Sequence, residues 1–337
     1  MKVLIIKTSS MGDIIHTLPA LSDAGTALED IQFDWVVEKN FAQIVPWHPL
    51  VNKVIECELR RWRKAPWRCL KQWRAFKTNL LATQYDLVID AQGLLKSAFI
   101  TRLLASPKAG FSFKSCTESL ASLAYDRKYF VPHGLHAIDK IRSLFALALD
   151  YKLDKRELDY GLAHTPCNTK AQPYIVFAHT TTWSSKRWPL EYWQQLVTLV
   201  TQAGWQVKLP WGNTQEKNLA QAIAANNSKV QVLDKTSLIQ IKDILSQASA
   251  IVGVDTGLTH LAAALSIPTI SLYGSTDPNI VGSRGSNQTL LNEHPQFSCA
   301  PCMKRKCFHK DKTMYASCLN ALQPQEVWLN LKQLVNV

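Results

Sequence analysis

Residues 2–24, KVLIIKTSSMGDIIHTLPALSDA, pass from an unbroken apolar run through a polar turn into a helical pattern. Val3, Leu4, Ile5 and Ile6 suit a short strand buried on both faces. Thr8-Ser9-Ser10-Met11-Gly12-Asp13 interrupts that run, and apolar residues return at Ile14, Ile15, Leu18 and Leu21. A buried strand that turns directly into an amphipathic helix is the opening unit of a parallel α/β sheet. Asp13 falls at or near the start of the helix. The helix dipole favours an acid there, yet it explains neither the Ser-Ser-Met-Gly loop nor His16 one turn later.

The same unit recurs along the chain. Strands are expected at 3–7, 33–38, 52–57, 86–90, 174–179, 205–210, 230–234, 250–255 and 268–274. Amphipathic stretches lie near 14–28, 67–83, 94–105, 136–149, 189–203, 214–226, 237–247 and 257–265. Residues 151–172 are polar and lose the periodicity, so the pattern occurs twice with a linker between. The expectation is two doubly wound, Rossmann-like α/β domains, 1–155 and 156–337, facing each other across a cleft. In open parallel sheets ligands bind beyond the carboxyl ends of the strands, so the functional residues belong just after strands.

Composition narrows the class. The 337 residues are 47% hydrophobic and 19% charged, as in globular proteins with sizeable cores. No apolar run reaches the roughly 20 residues that cross a bilayer. No small-residue cleavage site follows the first strand, so the expected location is cytoplasmic. The net charge of +12 is concentrated at residues 60–77, RRWRKAPWRCLKQWRAFK, which hold no acid. Arg60, Arg61, Arg63, Lys64, Arg68, Lys71, Arg74 and Lys77 point to an anionic partner: nucleic acid, anionic lipid or a phosphorylated substrate. The plainer reading is a solvated basic face with Trp62, Trp67 and Trp73 packed inward.

Cys57, Cys69, Cys116 and Cys167 are scattered, as thiols in a reducing compartment are. Cys299, Cys302, Cys307 and Cys318 cluster near the C-terminus around His309. The first pair has metal-ligand spacing, but the later intervals fit no standard pattern. A structural zinc at these four cysteines is admissible but not favoured.

Several strand ends carry chemistry. Asp90-Ala-Gln-Gly93-Leu-Leu-Lys96 opens a helix with a small polar turn, which is a weak signal. Thr180, Thr181, Thr182 and Lys186 follow the strand at 174–179; hydroxyls and an ammonium there suit a phosphate. In LPWGNTQE, Glu216 either holds a ribose hydroxyl pair or caps its helix. In AIVGVDTGLTHLAAAL, Asp255-Thr256-Gly257 leads into a helix with His260 in its first turn, an anion site at a helix N-terminus. Neither half has a P-loop or the three-glycine dinucleotide fingerprint. The arrangement suggests a donor nucleotide on the second domain and an anionic acceptor on the first.

Taken together, KTSSMGDIIHTLPAL, FDWVVE, RRWRK, YDLVIDAQGLLKSA, KRWP, KLPWG and VDTGLTHLAAAL resemble the bacterial lipopolysaccharide heptosyltransferases, most closely the heptosyltransferase I branch. The resemblance runs nearly end to end. It implies a GT-B glycosyltransferase fold and inverting transfer of L-glycero-D-manno-heptose from ADP-heptose to the first Kdo of Kdo-lipid A. It implies work at the anionic inner leaflet of the cytoplasmic membrane, with the enzyme peripheral on its cytoplasmic face and no nucleic-acid partner. On this resemblance Asp13 is the general base, and Ser10, Gly12, Arg60, Arg61, Arg63 and Lys64 serve the acceptor. Thr181, Thr182, Lys186, Glu216, Asp255, Thr256, Gly257 and His260 hold the donor. Lys186 and the 256–260 turn would then lie near the diphosphate. Family members need no bound metal or other cofactor; lysine and backbone dipoles take that place. The cysteine-rich tail departs from the nearest relatives. A nucleotide-sugar epimerase of the same fold, another heptosyltransferase adding a later heptose, and a non-catalytic polyanion-binding protein stand as alternatives.

Overall fold

The computed structural model describes residues 1–153, 158–163, 172–308 and 315–335. The chain divides into two compact units, Met1–Leu162 and Ala163–Val337. Much of the expected linker, residues 154–157 and 164–171, lies outside the described residues, as do Cys167 and His309.

The first unit is built on one six-stranded parallel sheet of β1 (Lys2–Ile6), β2 (Gln32–Glu38), β3 (Val51–Cys57), β4 (Leu87–Asp90), β5 (Lys108–Phe111) and β6 (Arg127–Tyr129). Its strand order is β3-β2-β1-β4-β5-β6. Val3, Leu4, Ile5 and Ile6 are wholly buried because helices cover both faces of a central parallel strand. Burying each such side chain contributes about 1.5–3 kcal/mol.

The second unit repeats the plan. Its strands are β7 (Tyr174–Ala178), β8 (Gln206–Leu209), β9 (Val230–Val232), β10 (Ala250–Val254), β11 (Thr269–Tyr273) and β12 (Gln288–Asn292). Their order is β12-β11-β10-β7-β8-β9, which is the first order again with each strand replaced by its counterpart. This is the doubly wound arrangement, in which the order reverses next to the first strand and the loops leaving the two central strands diverge. Those switch points lie between β1 and β4 and between β7 and β10. Register brings the strand ends level: Ile6 pairs with Asp90, and Gly253 with Ala178.

The expected strands and helices all form. Three strands, β5, β6 and β12, go beyond the expectation. The sequences KAGF, RKY and QTLLN are short or polar; β5 and β6 extend the first sheet beyond β4, and β12 extends the second beyond β11. Among the described residues, no helix is long and apolar enough to cross a membrane.

Candidate active site

At the first switch point, the loop after β1 is tied to the loop after β4. The Gln92 side-chain oxygen accepts hydrogen bonds from the Thr8 N–H at 2.9 Å and the Ser9 N–H at 3.2 Å. Lys96 donates to the Ser9 hydroxyl at 2.9 Å, and Lys7 to the Ala91 carbonyl at 3.0 Å. Asp13 stands in the first turn of helix Met11–Ile15. Its Oδ2 accepts from the Ser10 N–H at 2.7 Å and the Ser10 hydroxyl at 2.8 Å. Lys7 Nζ lies 3.8 Å from Oδ1. The Asp13 side chain is nonetheless 44% exposed, so a fixed carboxylate faces solvent at the end of a buried strand. Ser10 is engaged in orienting Asp13, and Gly12 occupies the same turn.

Beside this turn lies a charge cluster that the sequence reading mostly missed. Glu38, at the end of β2, is buried, and burial raises its pKa against the pull of the Arg60 main-chain N–H and the Lys96 and Arg60 charges. Burial lowers the pKa of Lys96, which Glu38 opposes. The strand-end position of Lys7 and Glu38 was the available signal. Their mutual proximity depends on strand order.

Arg60, Arg61, Arg63 and Lys64 lie exposed on helix Leu59–Lys64. Arg61 reaches Glu58 at 3.3 Å, an exposed pair of little energetic weight. Trp62 is buried edge-on against Trp73, with Phe76 at 5.1 Å. Trp67 corrects the expectation of inward packing: it is 84% exposed. In the short turn Trp67–Cys69 the inward position goes to Cys69, which leaves the tryptophan outside.

The second switch point is denser. Asp255 follows β10 and is buried, with three side chains converging on its carboxylate. Lys186 Nζ is 2.6 Å from Oδ2, the Thr276 hydroxyl donates to Oδ2 at 2.6 Å, and His260 Nε2 lies 3.2 Å from Oδ1. Burial opposes the charge, but the hydrogen bond from His260 and the Lys186 ammonium outweigh it and hold the Asp255 pKa well below the usual carboxylate range. Thr181 donates to the Asp255 carbonyl at 3.3 Å, while Thr182 is exposed. Thr256 is the N-cap of helix Gly257–Ala264, and its carbonyl accepts from the Thr259 and His260 N–H groups at 3.1 and 3.3 Å, which leaves the Gly257 and Leu258 N–H groups without an intrahelical acceptor. Glu216 Oε2 accepts from the Gly212 N–H at 2.7 Å, and Asn213 caps helix Thr214–Ala224. Lys186, Thr181, Asp255, Thr256, Gly257 and His260 therefore assemble around one turn. Thr276 belongs with them: the strand-end loop LYGSTDP, residues 272–278, is placed by sequence to close over a nucleotide, though Thr276 itself is not among the expected site residues.

Cys299, Cys302, Cys307 and Cys318 line one small cavity together with Ser185 and Ser275. Among the described residues none of the four is joined in a disulfide. Burial and the three neighbouring cysteines push the Cys318 thiol up to about 11. Among the described residues, no three His, Cys, Asp or Glu side chains form a metal-holding group.

Two doubly wound parallel sheets of this strand order are the domains of a GT-B fold. The chain belongs to glycosyltransferase family 9, the heptosyltransferases, whose sequence profile matches residues 73–313. It is 46% identical to lipopolysaccharide heptosyltransferase 1 of Pseudomonas aeruginosa over 99% of this chain and 98% of that protein. It is 47% identical to the enzyme of that name from Escherichia coli K12, over 86% and 93%. Among solved structures, E. coli heptosyltransferase WaaC with ADP superposes with a TM-score of 0.87 at 41% identity, covering 99% of this chain and 100% of that one. WaaC with ADP-2-deoxy-2-fluoro heptose gives 0.84, covering 99% of each.

Proposed function

We propose that this chain transfers L-glycero-D-manno-heptose from ADP-heptose to the first Kdo of Kdo-lipid A, with inversion, in assembly of the lipopolysaccharide inner core. The observation that carries the reading is the Asp255 turn, where a lysine, a histidine, two threonines and a helix N-terminus converge. Similarity to proteins named as lipopolysaccharide heptosyltransferases, one of them solved with an ADP-heptose analogue, supplies the sugar and the acceptor class.

In this reading the second unit, 163–337, binds the donor. The helix N-terminus at Thr256 and Gly257, with Lys186, takes the diphosphate, and His260 donates a further hydrogen bond. Thr181 and Thr182 line the sugar-phosphate side, Asp255 contacts the heptose and Glu216 the ribose. The first unit, 1–162, binds the acceptor. Asp13 takes the proton as the acceptor hydroxyl oxygen attacks the anomeric carbon and the bond to ADP breaks. Charge and N–H groups around Lys186 stabilise the diphosphate as it departs. Arg60, Arg61, Arg63 and Lys64 meet the acceptor's phosphates and carboxylates, and the exposed basic face holds the enzyme at the cytoplasmic side of the inner membrane.

The test is direct transfer. Protein is mixed with ADP-heptose and Kdo-lipid A, and the acceptor mass is read before and after, with Asp13→Ala alongside. The expected result is a gain of one heptose that the variant lacks, while the variant still binds ADP-heptose. No gain by the unmodified protein, with ADP-heptose bound, removes this acceptor. Loss of donor binding in the variant removes the base assignment.

A further inference from the structure

The charge balance of the donor turn leaves a gap. Lys186, the cation expected to meet the diphosphate, is 2.6 Å from the Asp255 carboxylate, so the pair together brings no net positive charge to the turn. His260 is turned toward the same carboxylate. A nucleoside diphosphate ester brings two further negative charges, and the half-charge of one helix N-terminus offsets only part of them.

A second cation shares an aromatic neighbour with Lys186. Trp183, three residues earlier, has the Lys186 ammonium 4.4 Å from its ring centroid and the Arg305 guanidinium carbon 5.5 Å from the same centroid. The main chain around Arg305 is fixed to the donor turn at several points. The Arg305 carbonyl accepts from the Ser185 N–H and from the Ser184 hydroxyl, both at 3.3 Å. The buried Ser185 hydroxyl donates to the Lys304 carbonyl at 2.6 Å and shares a 2.9 Å hydrogen bond with Ser275. The Met303 N–H donates to the Ser275 carbonyl at 2.7 Å, next to the Thr276 that holds Asp255. The four cysteines line a small cavity that Ser185 and Ser275 also border. Among the described residues, no carboxylate pairs with Arg305 within 4.0 Å, and its side chain is exposed.

We infer that Arg305 is a donor-binding residue that adds a second positive charge at the diphosphate beside that of Lys186, and that Ser185 is the positioning residue that presents it. This gives the cysteine-rich segment its function: it carries a cation into the nucleotide-sugar site. A guanidinium resting on an aromatic face keeps its N–H fork available for phosphate oxygens. The inference rests on the second unit being the donor site.

The experiment is calorimetric titration of ADP and of adenosine into the full chain and into Arg305→Ala, Arg305→Lys, Lys186→Ala and Lys332→Ala. Lys332 also sits over a tryptophan, Trp328, but in the C-terminal helix, and it serves as the control for lost surface charge. Removing a charge-assisted contact to phosphate predicts a loss of about tenfold or more in ADP affinity for Arg305→Ala. Adenosine affinity stays unchanged, Arg305→Lys recovers part of the loss, and Lys332→Ala binds as the full chain does. Ser185→Ala shifts ADP affinity in the same direction by a smaller factor. ADP affinity unaltered in Arg305→Ala, with Lys186→Ala weakened, overturns the assignment and leaves the donor site standing. If neither variant changes ADP affinity, the donor-site reading itself fails. An equal loss for adenosine in Arg305→Ala means that the loop only supports the fold, which also overturns the assignment.

Discussion

Asp13 and Asp255 are both acids that follow a central strand, yet their surroundings differ, and the proposed reaction gives them different parts. Asp13 is exposed and held by Ser10, so a substrate proton can reach it. Asp255 is buried under Lys186, His260 and Thr276, so it stays charged and organises cations. Lys186→Ala should therefore have two effects. ADP affinity and turnover should both fall, and the melting temperature should drop because Asp255 loses a buried partner, a cost of about 1–3 kcal/mol. Scanning calorimetry alongside kinetics separates the two; normal kinetics would clear Lys186 of any role in the reaction. The residue types at both sites were legible as a pattern after strands. The Lys186–Asp255 pair was not, since 69 positions separate the partners along the chain and only the β7–β10 pairing brings them together.

At the scale of the element, helix Gly257–Ala264 is seated against β10 with little room. A Cβ on Gly253 would stand 2.2 Å from the Thr259 hydroxyl and 2.9 Å from the Ala178 Cβ. Thr259 uses that hydroxyl to bind the Val254 carbonyl at 2.7 Å, which locks the helix start to its strand. Gly253→Ala should cost about 1–3 kcal/mol by overpacking and weaken ADP binding through the displaced helix start, while the first unit keeps its structure; unchanged ADP binding would show that the turn tolerates the shift. The basic segment allows the converse test. With Arg60, Arg61 and Arg63 all changed to glutamate, KM for the acceptor should rise at least tenfold, more steeply at low salt, and ADP affinity should hold. An unaltered acceptor KM would remove the segment from acceptor binding. Its helical pattern and charge were plain in the sequence. Which of its three tryptophans packs inward was not, because that depends on where the chain turns at Pro66.

At the scale of the whole molecule, stability should depend on pH through His48, which the reaction does not use. It is buried in the first unit, where its Nδ1 accepts from the Leu50 N–H at 3.3 Å and its Nε2 lies 3.0 Å from the Ser22 hydroxyl. Burial, against a weaker pull from Asp159, pushes its pKa down to about 4. The unfolded chain, near the ordinary value of about 6.5, then binds more protons than the folded one between these limits. The stabilisation is complete above about pH 6.5 and is lost as pH falls toward 4, a change on the order of 3 kcal/mol. Denaturant melts across that range should show it, and His48→Gln should flatten the slope; an unchanged slope would assign the effect to other groups. By itself the sequence determined the two doubly wound units, the central strands and the set of residues at their carboxyl ends, because burial on two faces and helical periodicity are local properties of the chain. Only the tertiary structure decided the outer strands β5, β6 and β12, the pairing of Lys186 with Asp255, and the seating of Arg305 beside Trp183. Each of these needs segments far apart in the chain to meet, and the energy that selects them exists only once the sheet is formed.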